Sequence, residues 1–139
     1  MTNNDANNKT TVMKDKKVML STFWIVVMIN MAFADILGFM IPGNLEKMMA
    51  GTAASFTITQ EIMLAFAIMT EIPIAMIFLS RVLKTKFNRW ANIIASVITI
   101  VWIVAGGTTD LSYIFFAAIE IVCLFLIVWY AWKLPKQEG

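Results

Sequence analysis

Residues Leu111–Trp132 read LSYIFFAAIEIVCLFLIVWYAW. Glu120 is the one charged side chain in this run, and the run is long enough to cross the hydrocarbon core of a bilayer, which takes about 20 apolar residues at 1.5 Å each. Asp110 stands before it as a candidate N-cap, and Pro135 follows just beyond its end. Backbone groups in lipid have no water to bond, so a segment of this kind is a helix.

Three further stretches qualify on the same reading. The first runs from about Met19 to Ile41 and stops at Pro42-Gly43, a pair that cannot continue a helix. The second runs from about Gln60 to Leu83, with Thr57 placed to cap it by bonding the amide of Gln60. The third runs from about Trp90 to Ala105 and ends at Gly106-Gly107. The expected fold is an all-α membrane protein, an antiparallel four-helix transmembrane bundle. Its domain would cover 19–133, with a disordered tail over 1–18 and a short tail over 134–139. The first run is too long for a signal-peptide core, holds Asn30 and Asp35, and lacks a small-x-small cleavage pattern, so it reads as a retained span. In the connection from Gly43 to Phe56, Leu45, Met48 and Met49 share a helical face ended by Gly51, which predicts a short helix on the membrane surface.

Composition agrees. The chain of 139 residues is 60% hydrophobic and 14% charged, with a mean hydropathy of +0.77. A small soluble domain has too much surface to hide that apolar content. The sequence contains no histidine and one cysteine, Cys123, so an intrachain disulfide is excluded and the commonest metal ligand is missing. No metal or cofactor is expected. A net charge of +2 is too small to indicate nucleic-acid binding.

Of the eleven basic residues, all but Lys47 fall in the N-terminal tail, in the link between spans two and three (Arg81, Lys84, Lys86, Arg89), or after span four (Lys133, Lys136). The positive-inside rule places these three segments, and so both termini, in the cytoplasm. Trp24, Trp90, Trp129, Tyr130 and Trp132 would lie near that boundary, and Trp102 and Tyr113 near the outer one. The cluster Arg81, Lys84, Lys86 and Arg89 reads as a topology anchor, with anionic headgroups as its second use.

Three carboxyls fall inside spans. Counting from the outer ends, Asp35 lies roughly 9 to 10 Å in, Glu120 about 14 Å and Glu71 about 16 Å. No basic side chain sits at that depth, and a charge facing lipid there costs a few kcal/mol on insertion scales, so all three are expected to face the bundle interior. Pro73, two residues after Glu71, frees the carbonyl of Met69 and predicts a helix kink beside the acid. Asn92, Ser96 and Thr99 form a polar stripe on the third span, and Tyr113 shares a face with Glu120 on the fourth. With Asn30, these residues outline a chamber for a ligand or proton, open toward the outer half. The plainer reading gives each acid a hydrogen bond to the next helix, a contact worth about 0.6 to 2 kcal/mol. On that reading Asn92, Ser96 and Thr99 are packing contacts and the methionines are filler.

The runs Ala34-Asp35-Ile36-Leu37, Glu71-Ile72-Pro73-Ile74-Ala75-Met76, Asn88-Arg89-Trp90-Ala91-Asn92 and Tyr113-Ile114-Phe115-Phe116 through Glu120 to Cys123 resemble a bacterial family of four-span membrane proteins of uncharacterised function. The chain is also loosely similar to the DoxX-like group in size and layout. The resemblance implies a four-span fold in the bacterial cytoplasmic membrane and carries no established activity.

Three function classes remain. The first is proton-coupled transport or binding of a small cationic or amphipathic solute, for which one four-helix unit encloses little space and a homodimer is implied. The second is a lipid-binding or accessory subunit. The third, an intramembrane enzyme on a lipid or quinone, lacks any recognisable nucleophile arrangement.

Overall fold

The computed structural model describes residues 3–53 and 56–135. The expected tail from 136 onward, with Lys136, lies outside the described residues. The elements in chain order are α1 (Asn3–Met40), α2 (Asn44–Met49), β1 (Thr52–Ala53), β2 (Phe56–Thr57), α3 (Gln60–Val82), α4 (Thr85–Ala105) and α5 (Leu111–Trp132). Four of these helices, α1, α3, α4 and α5, are long and apolar enough to cross a membrane. They close a ring in which α1 packs on α3 and α5, and α4 packs on α3 and α5. The helices α1 and α4 are therefore diagonal to each other.

The sidedness of this ring is inverted relative to a soluble bundle. The buried face of α4 is Thr85, Asn88, Asn92, Ala95, Ser96, Thr99 and Ile103, a mainly polar stripe at helical spacing. Large apolar side chains point outward instead, among them Phe78, Val101, Phe115 and Phe125. Such a surface is stable where the solvent is itself apolar, and interior polar groups then tie the helices together. The chain is built as a small membrane protein.

The ends of the ring are fixed by different chemistry. At one end the three basic segments meet. Lys17 Nζ donates to the carbonyl of Leu83 at 2.6 Å and Lys16 Nζ to that of Lys133 at 2.9 Å. These are terminal carbonyls of α3 and α5, which have no helical donor and favour a cation. Arg81 Nε donates to Ser21 Oγ at 2.9 Å, and the Arg89 guanidinium lies 4.3 Å from the centre of the Trp132 ring. At the other end Phe56, Phe66 and Trp102 pack edge-on in series, with centroids 6.5 and 5.2 Å apart.

Several local expectations are corrected. The N-terminal segment is helical from Asn3 instead of disordered, because Lys16 and Lys17 dock it and Met13 Sδ accepts from Thr85 Oγ1. The third span begins at Thr85 and not Trp90; its polar first turns face the interior, where hydropathy gives no signal. Thr59, not Thr57, caps α3, its hydroxyl accepting from the amide of Ile62 at 3.3 Å. Thr57 instead pairs with Thr52 in a two-stranded antiparallel ribbon that the sequence did not announce. Asp110 holds the N-cap position of α5 but accepts from Thr108 Oγ1 at 2.9 Å and makes no cap bond. Helix α3 runs through Pro73 as one element, with the proline buried. Trp24 leaves the expected aromatic belt for the core, at 0% exposure. The short helix expected after Gly43 is present as α2, entered and followed by Gly43 and Gly51, each at φ +84°, where a side chain would be strained.

Candidate functional site

Asp35 and Glu120 line one cavity of about 440 Å³ between α1, α3, α4 and α5. Glu120 projects from the buried face of α5, which continues through Cys123, Leu124, Ile127 and Ala131. It is 3% exposed, and its Oε1 has no hydrogen-bond partner among the described residues. Asp35 is exposed on α1, not enclosed as expected, and also borders a second cavity of about 250 Å³ lined by Lys47 and Asp110. Ala34, Gly106 and Tyr113 border both spaces as well, so Asp35 sits where the smaller cavity meets the larger chamber.

The remaining wall is mainly aromatic and small, with Met31, Ile62 and Ile103 as its larger aliphatic members. Phe56, Phe66, Trp102 and Tyr113 line the chamber, alongside Ala65, Thr70 and Gly106. Two carboxyls facing an aromatic wall suit an organic cation, which gains from the negative faces of rings and from an anionic partner in a partly desolvated space. Among the described residues, no group of three or more His, Cys, Asp or Glu side chains could hold a metal ion.

The predicted site residues divide. Asp35, Glu120 and Tyr113 come together around the chamber. The Tyr113 hydroxyl, however, donates to the carbonyl of Ile103 at 2.6 Å, so its ring faces the cavity while its oxygen fastens α5 to the last turn of α4. Asn30 donates to the carbonyl of Val26 on its own helix at 2.8 Å and does not line the cavity. Asn92 is fully buried as a structural node: it accepts from Trp24 Nε1 at 2.7 Å and Ser80 Oγ at 3.1 Å, and its amide donates to the carbonyl and the side-chain oxygen of Asn88. Thr99 donates to the carbonyl of Ala95 at 2.8 Å. Ser96 Oγ is buried with no partner among the described residues.

Glu71 overturns the expectation of three converging acids. The buried residues of α3 are Pro73, Met76 and Ser80, and Glu71 is exposed. At about 100° per residue, Pro73 is about 200° round the helix from Glu71 and Ser80 about 180°. The same face of α3 that buries Pro73 gives Phe66 and Thr70 to the chamber, so Glu71 lies on the far side. Arg81, Lys84 and Lys86 are exposed at the basic end, and Arg89 is half-buried against Trp132. The sequence reading missed Phe56 and Phe66, since a phenylalanine in or beside an apolar span carries no periodic signal to distinguish a cavity wall from a lipid contact.

Comparison with curated proteins and with solved structures finds no match to this chain. One family model does match, over residues 10–138, and so covers all four membrane-length helices from within α1 onward. The chain belongs to that family, described as a family of unknown function (DUF6326).

Proposed function

We propose that this protein is a multi-pass protein of the bacterial cytoplasmic membrane that binds a small amphipathic organic cation in the chamber between Asp35 and Glu120. The observation that carries the reading is the buried Glu120 Oε1, without a partner among the described residues, in a space walled by Phe66, Trp102 and Tyr113. A buried carboxyl oxygen without a donor is costly to maintain and is stabilised by an arriving cation or a proton. The chamber opens away from the end where the basic segments meet. The positive-inside rule puts that end, with both termini, in the cytoplasm, and the chamber then faces outward.

Proton-coupled transport is the activity such a site would serve, with Glu120 exchanging a proton for the cation. The inner half favours binding without passage as the second reading, because Leu20, Trp24, Val27, Leu124 and Ile127 are all 0% exposed and close the bundle below the chamber. A lipid-holding or accessory subunit would need no opening of that plug.

The test uses the full chain in lipid nanodiscs, with benzyltrimethylammonium as the cation and neopentylbenzene as its uncharged counterpart of the same shape. The cation is expected to bind at least tenfold more tightly than the hydrocarbon, and Glu120→Gln to abolish that preference while keeping the fold. Equal affinity for the two probes, or an unchanged preference in Glu120→Gln, overturns the reading.

A further inference from the structure

We infer that the outward face of α3 around Glu71 is a self-association surface, covered in the membrane by α3 of a second copy of this chain. Glu71 stands midway along α3, about 16 Å from either end. It is exposed on the ring's outer surface, and the structure shows no hydrogen bond or ion pair to it among the described residues. Its neighbours on this face are apolar and exposed, including Leu64, Ile68, Ile74 and Phe78. A carboxyl at mid-membrane depth facing acyl chains is the arrangement membrane proteins avoid; ionisable groups there face protein or water. Helix α3 therefore has protein on both sides, and the ring supplies only one of them.

The chemistry of the face selects the occupant. A neutral carboxyl is both donor and acceptor, so two copies related by a twofold axis through this point satisfy each other with no other residue type. Ala67 and Ala75 stand one turn before and one turn after Glu71, and small side chains there let two helix backbones approach closely enough for the acids to meet. The basic residues of the chain lie at the ring's ends and cannot reach this depth from a second copy, which leaves acid to acid as the pairing between like chains.

The surface is separate from the chamber, so its test is independent of cation binding. In a Cys123→Ala background, Ala67→Cys in native-like membranes is expected to form a disulfide-linked dimer on mild oxidation, and Val122→Cys, exposed on α5, to form none. In nanodiscs at varied protein-to-lipid ratio, Glu71→Gln is expected to retain the dimer, because an amide also donates and accepts. Glu71→Leu is expected to weaken it about three- to tenfold. A chain that stays monomeric at every ratio overturns the proposal, as does equal crosslinking at positions 67 and 122. Loss of association in Glu71→Gln also overturns it, because an amide can replace a neutral carboxyl in the proposed pairing.

Discussion

The indole Nε1 of Trp24 donates to the side-chain oxygen of Asn92 at 2.7 Å across the diagonal of the bundle. The two helices that carry them, α1 and α4, have no packed contact along their backbones, since each touches only α3 and α5 among the spans. This bond through the centre, with the longer contact from Thr85 Oγ1 to Met13 Sδ at the basic end, ties together the two helices that the ring leaves apart. Asn92 also accepts from Ser80 on α3 and is itself held by Asn88, so three helices meet at one amide.

Replacing that amide tests how much the node holds. Asn92→Leu leaves the Trp24 N–H and the Ser80 hydroxyl without their acceptor, at a cost of about 1 to 3 kcal/mol for each buried orphan in water-soluble proteins and less in lipid, where helix-to-helix bonds average about 0.6 kcal/mol. A loss of about 2 kcal/mol is expected, read as a lower melting temperature of the detergent-solubilised protein by size-exclusion fluorescence. Trp24→Phe removes one bond and keeps the other, so its loss should be smaller. Equal melting temperatures for wild type and Asn92→Leu would show that packing alone sets the diagonal.

The four membrane-length helices were legible because length and hydropathy are properties of a segment by itself. Gln60–Val82 and Leu111–Trp132 match the sequence reading to within a residue. Position along a helix was legible for the same reason, since it counts along one segment. Azimuth was the hard part. Asp35, Glu71 and Glu120 were placed together by depth, yet Glu71 faces outward because the buried face of α3 is set by Pro73, Met76 and Ser80. That face was hidden in the sequence because both sides of α3 are apolar, so periodicity had no contrast to report. In α4 the contrast existed, and the stripe Asn92, Ser96, Thr99 was read as one face; what it bonds to lay on other helices. The helical tail from Asn3 failed for a third reason: its order comes from lysines reaching carbonyls over 60 residues away, a tertiary effect absent from local propensity.

Those lysine contacts make a second prediction. Lys17 Nζ is part-buried at 2.6 Å from the carbonyl of Leu83, at the end of α3. Lys17→Met keeps the apolar stem and removes the cation. The expected loss is about 0.5 to 1 kcal/mol from the missing charge at a helix C-terminus. Its signature is local: faster amide exchange in the first four turns of α1 and around residues 83–85, with the core of α5 unchanged. Unaltered exchange in both segments would mean that the tail is held by Met13 and Lys16 without Lys17.

The last prediction separates two ways in which the chamber could hold its ligand. Phe66 sits between Phe56 and Trp102 in the wall, 5.2 Å from the Trp102 ring centre. As plain apolar surface, Phe66 would be replaceable by leucine with little change for any ligand. As an aromatic face directed at a cation, it contributes an electrostatic attraction of about 0.5 to 2 kcal/mol that leucine lacks. Phe66→Leu is therefore expected to lower benzyltrimethylammonium affinity about three- to tenfold while leaving neopentylbenzene within about twofold. The measurement is a competition between the two probes on the same nanodisc sample, so a general loosening of the wall would weaken both alike. Because Asp35 and Glu120 are untouched in this variant, a selective loss of the cation assigns that part of the recognition to the ring and not to the acids.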